Sequence, residues 1–126
     1  MQERPVYLDL TKIKLPMSAF SSITHRLSGM YVFFITLPLM LALIYFSTES
    51  EDSFNELSLF LRDHKFILGL IVISFCILWY HILSGVRHLI MDAHIGESLL
   101  ASKYSAIFTI SLWIITTSFV FWRIFL

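Results

Sequence analysis

The chain has 126 residues, of which 57% are hydrophobic and only 14% are charged, and its formal net charge is zero. A mean hydropathy of +0.78 is far above that of a soluble domain of this size, so the composition is that of a membrane protein. The balanced charge offers no basic surface for nucleic acid, and the single cysteine, Cys76, excludes an intrachain disulfide and a cysteine-ligated iron–sulfur cluster in this chain.

Residues 1–21 come before the first long apolar run and show no sustained hydrophobic period. They lack the apolar core of a signal peptide. We therefore expect an N-terminal surface arm that lies on the inner face of the membrane or against a partner protein.

Three apolar runs are long enough to cross a membrane as helices. Two of them contain no charged residue or histidine, Leu27 to Phe46 and Tyr104 to Trp122. The third, Phe66 to Val86, contains no Asp, Glu, Lys or Arg and a single histidine, His81. Each run approaches the ~20 residues that a spanning helix needs. The sequence predicts an all-α membrane protein, a single membrane-anchor domain over residues 1–126, with transmembrane helices at about 22–47, 66–92 and 103–125.

The first loop, Ser47 to Lys65, carries a helical signal of its own. Ser53 and Glu56 stand at capping-box spacing, ahead of apolar residues at helical spacing. This pattern predicts a short helix that lies in the membrane interface.

The distribution of lysine and arginine favours a cytoplasmic N-terminus. With that topology the inner segments hold six of these residues: Arg4, Lys12, Lys14, Arg26, Arg87 and Lys103. The outer segments hold three: Arg62, Lys65 and Arg123.

Ionisable side chains are concentrated at the inner end of the predicted second helix. His81, Gly85, His88 and Asp92 follow each other at offsets of four, three and four residues, so they share one face. Arg87 points about 120° away from His81 on the same geometry.

The start of the first helix is also polar on one side, where Ser22, Arg26 and Gly29 share a face and His25 lies beside it. The first two helices cross the membrane in opposite directions, so this end meets the inner end of the second helix.

Depth separates these side chains into two levels. A rise of ~1.5 Å per residue from midpoints near Thr36 and Cys76 places His81 roughly 7 Å to the inner side of the membrane centre. Arg26 and His88 then lie roughly 15 to 18 Å from the centre, at the inner boundary.

One deep histidine beneath boundary cations suits a flat, apolar cofactor with an anionic edge, and haem is such a cofactor. Its iron takes an imidazole nitrogen, and Gly85 removes a side chain where the macrocycle would approach the backbone. A six-coordinate haem would need its second ligand from another chain. Zinc fits poorly, because His81 has no ligand-type neighbour within one turn.

Other interpretations of these residues remain open. An isolated intramembrane histidine also serves to hydrogen-bond a neighbouring helix, and boundary cations commonly extend to lipid headgroups. Arg87 and Asp92 are open to two interpretations, an ion pair or a proton route. A small proton or ion transporter that uses the His and Asp stripe is the alternative from another functional class.

Three segments resemble the signature segments of the larger cytochrome b subunit of succinate dehydrogenase. They read RPVYLDL at 4–10, SITHRLSG at 22–29 and HILSGVRHLIMD at 81–92. The resemblance covers the arm and the first two helices, in order and at fitting spacing. The form of the arm is similar to bacterial members of this family.

The resemblance implies a membrane anchor of a succinate:ubiquinone oxidoreductase in the bacterial inner (plasma) membrane. In that family a flavoprotein subunit oxidises succinate, an iron–sulfur subunit passes the electrons on, and two small anchor subunits share haem b and form the ubiquinone site. This chain would then be a subunit that does not itself oxidise succinate. A haem-free structural anchor, as in some fumarate reductases, is the alternative within the family.

The resemblance also implies roles for individual residues. His81 would be an axial ligand of the haem iron, with the other ligand supplied by the smaller anchor subunit. Ser22 and Arg26 would line the ubiquinone pocket, and Arg26 would also approach the haem propionates together with His25 and His88. Asp92 would lie near the quinone or its proton route.

Overall fold

The computed structural model describes residues 15–125, and the regular elements in that range are all helices. They are α1 (Met17–Tyr31), a π-helical turn (Val32–Thr36), α2 (Leu37–Thr48), α3 (Glu51–Asp63), α4 (Lys65–Asp92) and α5 (Leu99–Phe125). Residues 1–14, which make up most of the predicted arm, lie outside the described range.

Three of the helices are long and apolar enough to cross a membrane, which confirms the predicted fold class. They are the continuous run Met17–Thr48, α4 and α5. The short helix predicted in the first loop is present as α3.

The first spanning helix begins at Met17, ahead of the predicted start at residue 22. Pro16 is its N-cap residue, with extended backbone, and the N–H of Phe20 donates to the carbonyl of Pro16 at 3.0 Å. The apolar pattern marks the part of a helix inside the hydrocarbon, whereas the helix itself continues until a residue such as proline ends it.

A π-helical turn interrupts this helix just before Pro38. The N–H of Leu37 donates to the carbonyl of Val32, five residues back, instead of to the usual fourth residue. Pro38 has no N–H to continue the ladder, and π turns are a recognised cause of bends in helices. Two features that are known to bend helices, a proline and a π turn, thus lie close together in this helix.

The start of α3 differs from the predicted cap. Its N-cap is Ser50, whose side chain accepts the Ser53 backbone N–H at 3.1 Å, so the capping pair Ser53 and Glu56 was the wrong choice. The Ser53 hydroxyl donates instead to the carbonyl of Phe46 at 2.6 Å, which fastens α3 to the end of α2.

The second loop is shorter than predicted, because α5 begins at Leu99 and not near residue 103. The N–H of Ala101 donates to the Ser98 side chain at 3.3 Å, so Ser98 acts as a cap for the new helix. His94 and Gly96 have positive φ angles of 62° and 74°, which turn the chain between α4 and α5.

The interior of the bundle is built from small residues, while large apolar side chains point outward. Ser21, Thr36, Ser84 and Ala106 have no exposed surface, and Leu99 and Phe34 are 90% and 72% exposed. Close helix contact through small residues is the usual packing of membrane helices. α4 packs most extensively, against both α1 and α5, and α1 and α5 also contact each other directly.

Hydrogen bonds between side chains also fasten the spanning helices. Thr24 bonds to Tyr80, and Tyr31 bonds to Ser74 at 3.0 Å, which joins α1 to α4 at two levels. The indole N–H of Trp113 on α5 donates to the carbonyl of Cys76 at 2.9 Å.

Candidate functional site

Three imidazole rings meet between α1 and α4. The rings of His25 and His81 are stacked with centroids 4.3 Å apart and planes only 1° apart. His88 stacks on the other face of the His25 ring, with its centroid 4.8 Å from that of His25. The structure thus brings together three residues that the sequence assigned to two depths, and His25 is the central member. We call His25, His81 and His88 the histidine stack.

The helical repeat and the antiparallel packing together produce this arrangement. His81 and His88 are seven residues apart on α4, which is two turns, so both side chains face α1. His25 projects from α1 at the level between them. The sequence pattern predicted the shared face on α4. It did not predict that His25 lies between the two rings, because that depends on how α1 is oriented about its own axis relative to α4.

Two glycines make room for the histidine stack. A Cβ atom at Gly29 on α1 would lie 3.0 Å from Cε1 of His81, and a Cβ atom at Gly85 on α4 would lie 3.3 Å from Cε1 of His25. Each helix therefore provides a glycine beneath the histidine of the other helix. Gly85 has a role in seating His25 that the sequence did not indicate.

Hydrogen bonds hold two of the rings in place. Nδ1 of His81 lies 3.1 Å from Oγ of Ser28 and 3.3 Å from the carbonyl oxygen of His25. Nδ1 of His88 donates to the carbonyl of Ser84 at 2.7 Å. Nδ1 of His25 is buried and has no hydrogen-bond partner among residues 15–125, so the central ring holds an unsatisfied polar atom.

The rings do not form a metal cage of their own. In the described part of the chain, no group of three or more His, Cys, Asp or Glu side chains is arranged to hold a metal ion. Stacked rings present their faces to each other, so their nitrogens do not converge on one point. The site suits a group that takes a single ligand from this chain.

Arg87 faces α5 and not the histidine stack, in keeping with the predicted offset of about 120° from His81. It is only 5% exposed. Its Nε donates to Oγ of Ser105 at 3.0 Å, and its Nη2 donates to the carbonyl and the hydroxyl of Ser102 at 3.0 and 3.1 Å. The guanidinium thus fastens α4 to α5.

Asp92 is exposed at the C-terminal end of α4. Within residues 15–125 it forms no ion pair, and the one salt bridge there joins His94 to Glu97 at 2.9 Å. Arg87 and Asp92, both within the described residues, do not form the ion pair that was one of the two interpretations of these side chains.

Ser22 and Arg26 lie one turn apart on α1, close to His25. Ser22 is half-buried and Arg26 is exposed. At this spacing a hydroxyl and a guanidinium project from the same side of a helix, with their Cβ atoms roughly 6 Å apart. They form a polar pair at the end of the helix that carries the middle ring of the stack.

Sequence reasoning assigned no role to Ser28 and treated Gly29 as one member of a polar face. A signal for both was present, since Ser28-Gly29 is a polar, small pair inside an otherwise apolar run. Their contact with His81 depends on which turn of α1 meets which turn of α4, and the pattern of one helix alone does not contain that register.

Comparison with known proteins points to one family. The family model described as succinate dehydrogenase/fumarate reductase transmembrane subunit matches residues 1–121. A succinate dehydrogenase cytochrome b556 subunit of Coxiella burnetii is 39% identical over 104 residues, which is 82% of this chain and 82% of that protein.

Two further relatives extend the comparison. A succinate dehydrogenase cytochrome b560 subunit of Porphyra purpurea is 40% identical over 93 residues, covering 71% of this chain and 72% of that protein. A cytochrome b556 subunit of Rickettsia bellii is 31% identical over 121 residues, covering 89% of this chain and 92% of that protein.

Proposed function

Since this chain belongs to the succinate dehydrogenase/fumarate reductase transmembrane subunit family, as a cytochrome b anchor subunit, we propose that it binds haem b and helps to form a ubiquinone-reduction site. In this proposal electrons from succinate oxidation, carried out by other subunits, reach ubiquinone at the membrane. The observation that carries the proposal is the histidine stack between α1 and α4, with the unpartnered Nδ1 of His25 at its centre.

His81 is the proposed axial ligand of the haem iron. Haem, when bound, supplies reversible one-electron chemistry. The residues present fit it: His81 is held by hydrogen bonds at Nδ1, and Gly29 gives its ring room against α1. This chain offers one deep imidazole, so the proposed second ligand comes from a second small anchor subunit with which the haem is shared.

His25, Arg26 and His88 are the proposed partners of the haem propionates, with Gly85 as part of the same pocket. The buried Nδ1 of His25 has no partner among the described residues, and an anionic oxygen would satisfy it. Stacked imidazoles repel each other when they are protonated, so a nearby anion also makes a positive charge on one of them less costly.

Ser22 and Arg26 are the proposed ubiquinone-binding residues. The serine hydroxyl would donate to a quinone carbonyl, and the guanidinium would stabilise negative charge that develops on a quinone oxygen during reduction. Asp92, exposed at the same end of the molecule, is the proposed entry point for protons from the aqueous side.

The proposed partners besides the second anchor subunit are the flavoprotein and iron–sulfur subunits and membrane lipids. We propose that residues 1–14 and the loop between α4 and α5 face the cytoplasm, where the soluble subunits would dock. Arg4, Lys12 and Lys14 in residues 1–14, together with Arg87 and Lys103 in the helices on either side of the loop, support that orientation. The proposed location is the bacterial inner membrane.

The substitution His81→Ala in the assembled complex tests the ligand. We expect the low-spin haem b spectrum to be lost or converted, because the iron loses one of its two strong-field ligands. His64→Ala is the matched control, since His64 is an exposed histidine between α3 and α4, outside the histidine stack. A His81→Ala complex whose visible spectrum equals that of the control would refute the ligand assignment.

A further inference from the structure

We propose that Ser28 is a positioning residue for His81: its oxygen accepts the Nδ1–H of the His81 imidazole, which fixes the ring in the tautomer whose Nε2 is free to bind a metal. This inference rests on the proposed haem function of His81. The proposed haem function by itself gives Ser28 no role.

The single hydroxyl proton of Ser28 is already engaged in a hydrogen bond within α1. The Ser28 hydroxyl donates to the carbonyl of His25, three residues earlier in α1, at 2.7 Å. A serine hydroxyl has one proton and two lone pairs. With its proton directed at that carbonyl, the oxygen presents only lone pairs to Nδ1 of His81, 3.1 Å away. Nδ1 must therefore carry the proton and donate it.

The carbonyl oxygen of His25 favours the same tautomer. It lies 3.3 Å from the same Nδ1 atom, and a carbonyl oxygen only accepts hydrogen bonds. If the proton were on Nε2, the Nδ1 lone pair would face two oxygen atoms with no hydrogen between them. Both oxygens near Nδ1 therefore act as acceptors of its proton. The Ser28 oxygen does so because its own proton is directed at the His25 carbonyl, and the carbonyl oxygen does so because it has no proton.

The Ser28 oxygen is oriented by a bond within its own helix and does not depend on α4 for its direction. The bond from Ser28 to the His25 carbonyl lies within α1 and has the spacing by which serine commonly bonds back to its own helix. Ser28 is 7% exposed, so water does not readily compete for the oxygen. Gly29, the next residue, lets the His81 ring approach α1 closely enough to reach it.

A hydrogen bond at Nδ1 changes what Nε2 does for a metal. An imidazole that donates its other N–H to an oxygen is held in orientation and is a more basic ligand. A more basic ligand favours the oxidised form of haem iron and so lowers its midpoint potential. Ser28 would therefore set both the direction of His81 and the potential of the group it ligates.

The test is a redox titration of the haem in the assembled complex, with three substitutions at position 28. Ser28→Ala removes the nearer of the two acceptors of the Nδ1–H and leaves only the His25 carbonyl at 3.3 Å, so we expect a higher midpoint potential. Ser28→Cys, similar in size but a weaker acceptor, is expected to give a smaller shift in the same direction, and it carries the test if the alanine variant does not assemble. Ser28→Thr keeps the hydroxyl and is expected to stay at the wild-type potential.

Ser74→Ala is the matched control. Ser74 is also buried, and its hydroxyl also joins α4 to α1, through Tyr31 at 3.0 Å, but it does not contact His81. This variant loses a comparable link between the helices and is expected to keep the wild-type potential. A second readout is the reaction of the reduced haem with carbon monoxide, which is expected to increase in Ser28→Ala and not in Ser74→Ala, because a loosened ligand is displaced more easily.

The outcomes separate this inference from the proposed function. Equal midpoint potentials in the wild type, Ser28→Ala and Ser28→Cys, with the haem spectrum retained, would overturn the role of Ser28 and leave His81 as the ligand. A Ser74→Ala shift as large as that of Ser28→Ala would also overturn it, since the effect would then be one of helix packing. A wild-type complex without haem b would instead overturn the proposed function.

Discussion

The substitution Gly29→Ala probes the seat of His81 on α1 with a single added carbon. The new Cβ atom would lie 3.0 Å from Cε1 of His81, whereas unstrained carbon contacts lie at about 3.5 to 4.0 Å. The ring must therefore retreat by about 0.5 to 1 Å. Nδ1 of His81 is already 3.1 Å from the Ser28 oxygen, so a retreat of this size away from α1 lengthens the pair to about 3.6 to 4.1 Å, beyond the limit of a hydrogen bond.

Overpacking of this kind costs about 1 to 3 kcal/mol. If that cost falls on the haem-bound form, haem affinity decreases by roughly five- to 150-fold. Alanine also favours a helix over glycine by about 1 kcal/mol, which acts in the opposite direction. The chain offers two other helical glycines on α4, Gly85 and Gly69, that separate these contributions.

The assay is the haem-to-protein ratio of the purified complex, together with its thermal midpoint. Gly69→Ala adds a carbon with no neighbour within 4 Å, so it reports the helix propensity alone and is expected to keep full haem content. Gly85→Ala, with a 3.3 Å contact to His25, is expected to lose part of it, and Gly29→Ala the most. If Gly29→Ala kept the haem content and thermal midpoint of Gly69→Ala, the reasoning about the seat of His81 would be refuted.

Two further predictions concern the arginines. Arg26→Leu is expected to lower ubiquinone reduction by the complex severalfold, because it removes the proposed quinone-binding side chain. Succinate oxidation with an artificial dye is expected to stay near wild type, because the soluble subunits are unchanged. Arg123→Leu, the same change at the far end of α5, is the control, and an equal loss of both activities in Arg26→Leu would indicate failed assembly instead. Ser105→Ala removes the acceptor of the buried Nε of Arg87 and is expected to destabilise the complex by roughly 1 to 3 kcal/mol, seen as a lower thermal midpoint. Its control is Ser111→Ala, an exposed serine on the same helix, and equal midpoints in the two variants would contradict the role of the Arg87 contact.

The sequence was sufficient to predict the spanning helices, because the thickness of a bilayer fixes the length of the apolar run that must cross it. It was less reliable for the ends of helices. The starts of α1 and α5 depend on Pro16 and on the cap at Ser98, which lie outside the apolar runs. The N-cap of α3 is Ser50 and not Ser53. Two serines three residues apart are both suitable caps for the same helix, and the sequence pattern does not distinguish between them.

Side-chain placement was predictable within a helix and not between helices. The common face of His81 and His88 follows from the helical repeat alone, and so does the different direction of Arg87. The partner of Arg87 on α5, the position of His25 in the stack and the contact of Ser28 with His81 depend on how far each helix is rotated and shifted against its neighbour. That register is set by the packing of small residues such as Gly29, which a linear pattern does not reveal.

The most direct test of the central claim is a pyridine haemochrome assay, with a reduced-minus-oxidised visible spectrum, on the purified wild-type complex that contains this chain. The account predicts a b-type haem in amounts that match the chain, with the spectrum of an iron held by two histidines. A complex that is fully assembled and active in succinate oxidation but contains no haem b would contradict it.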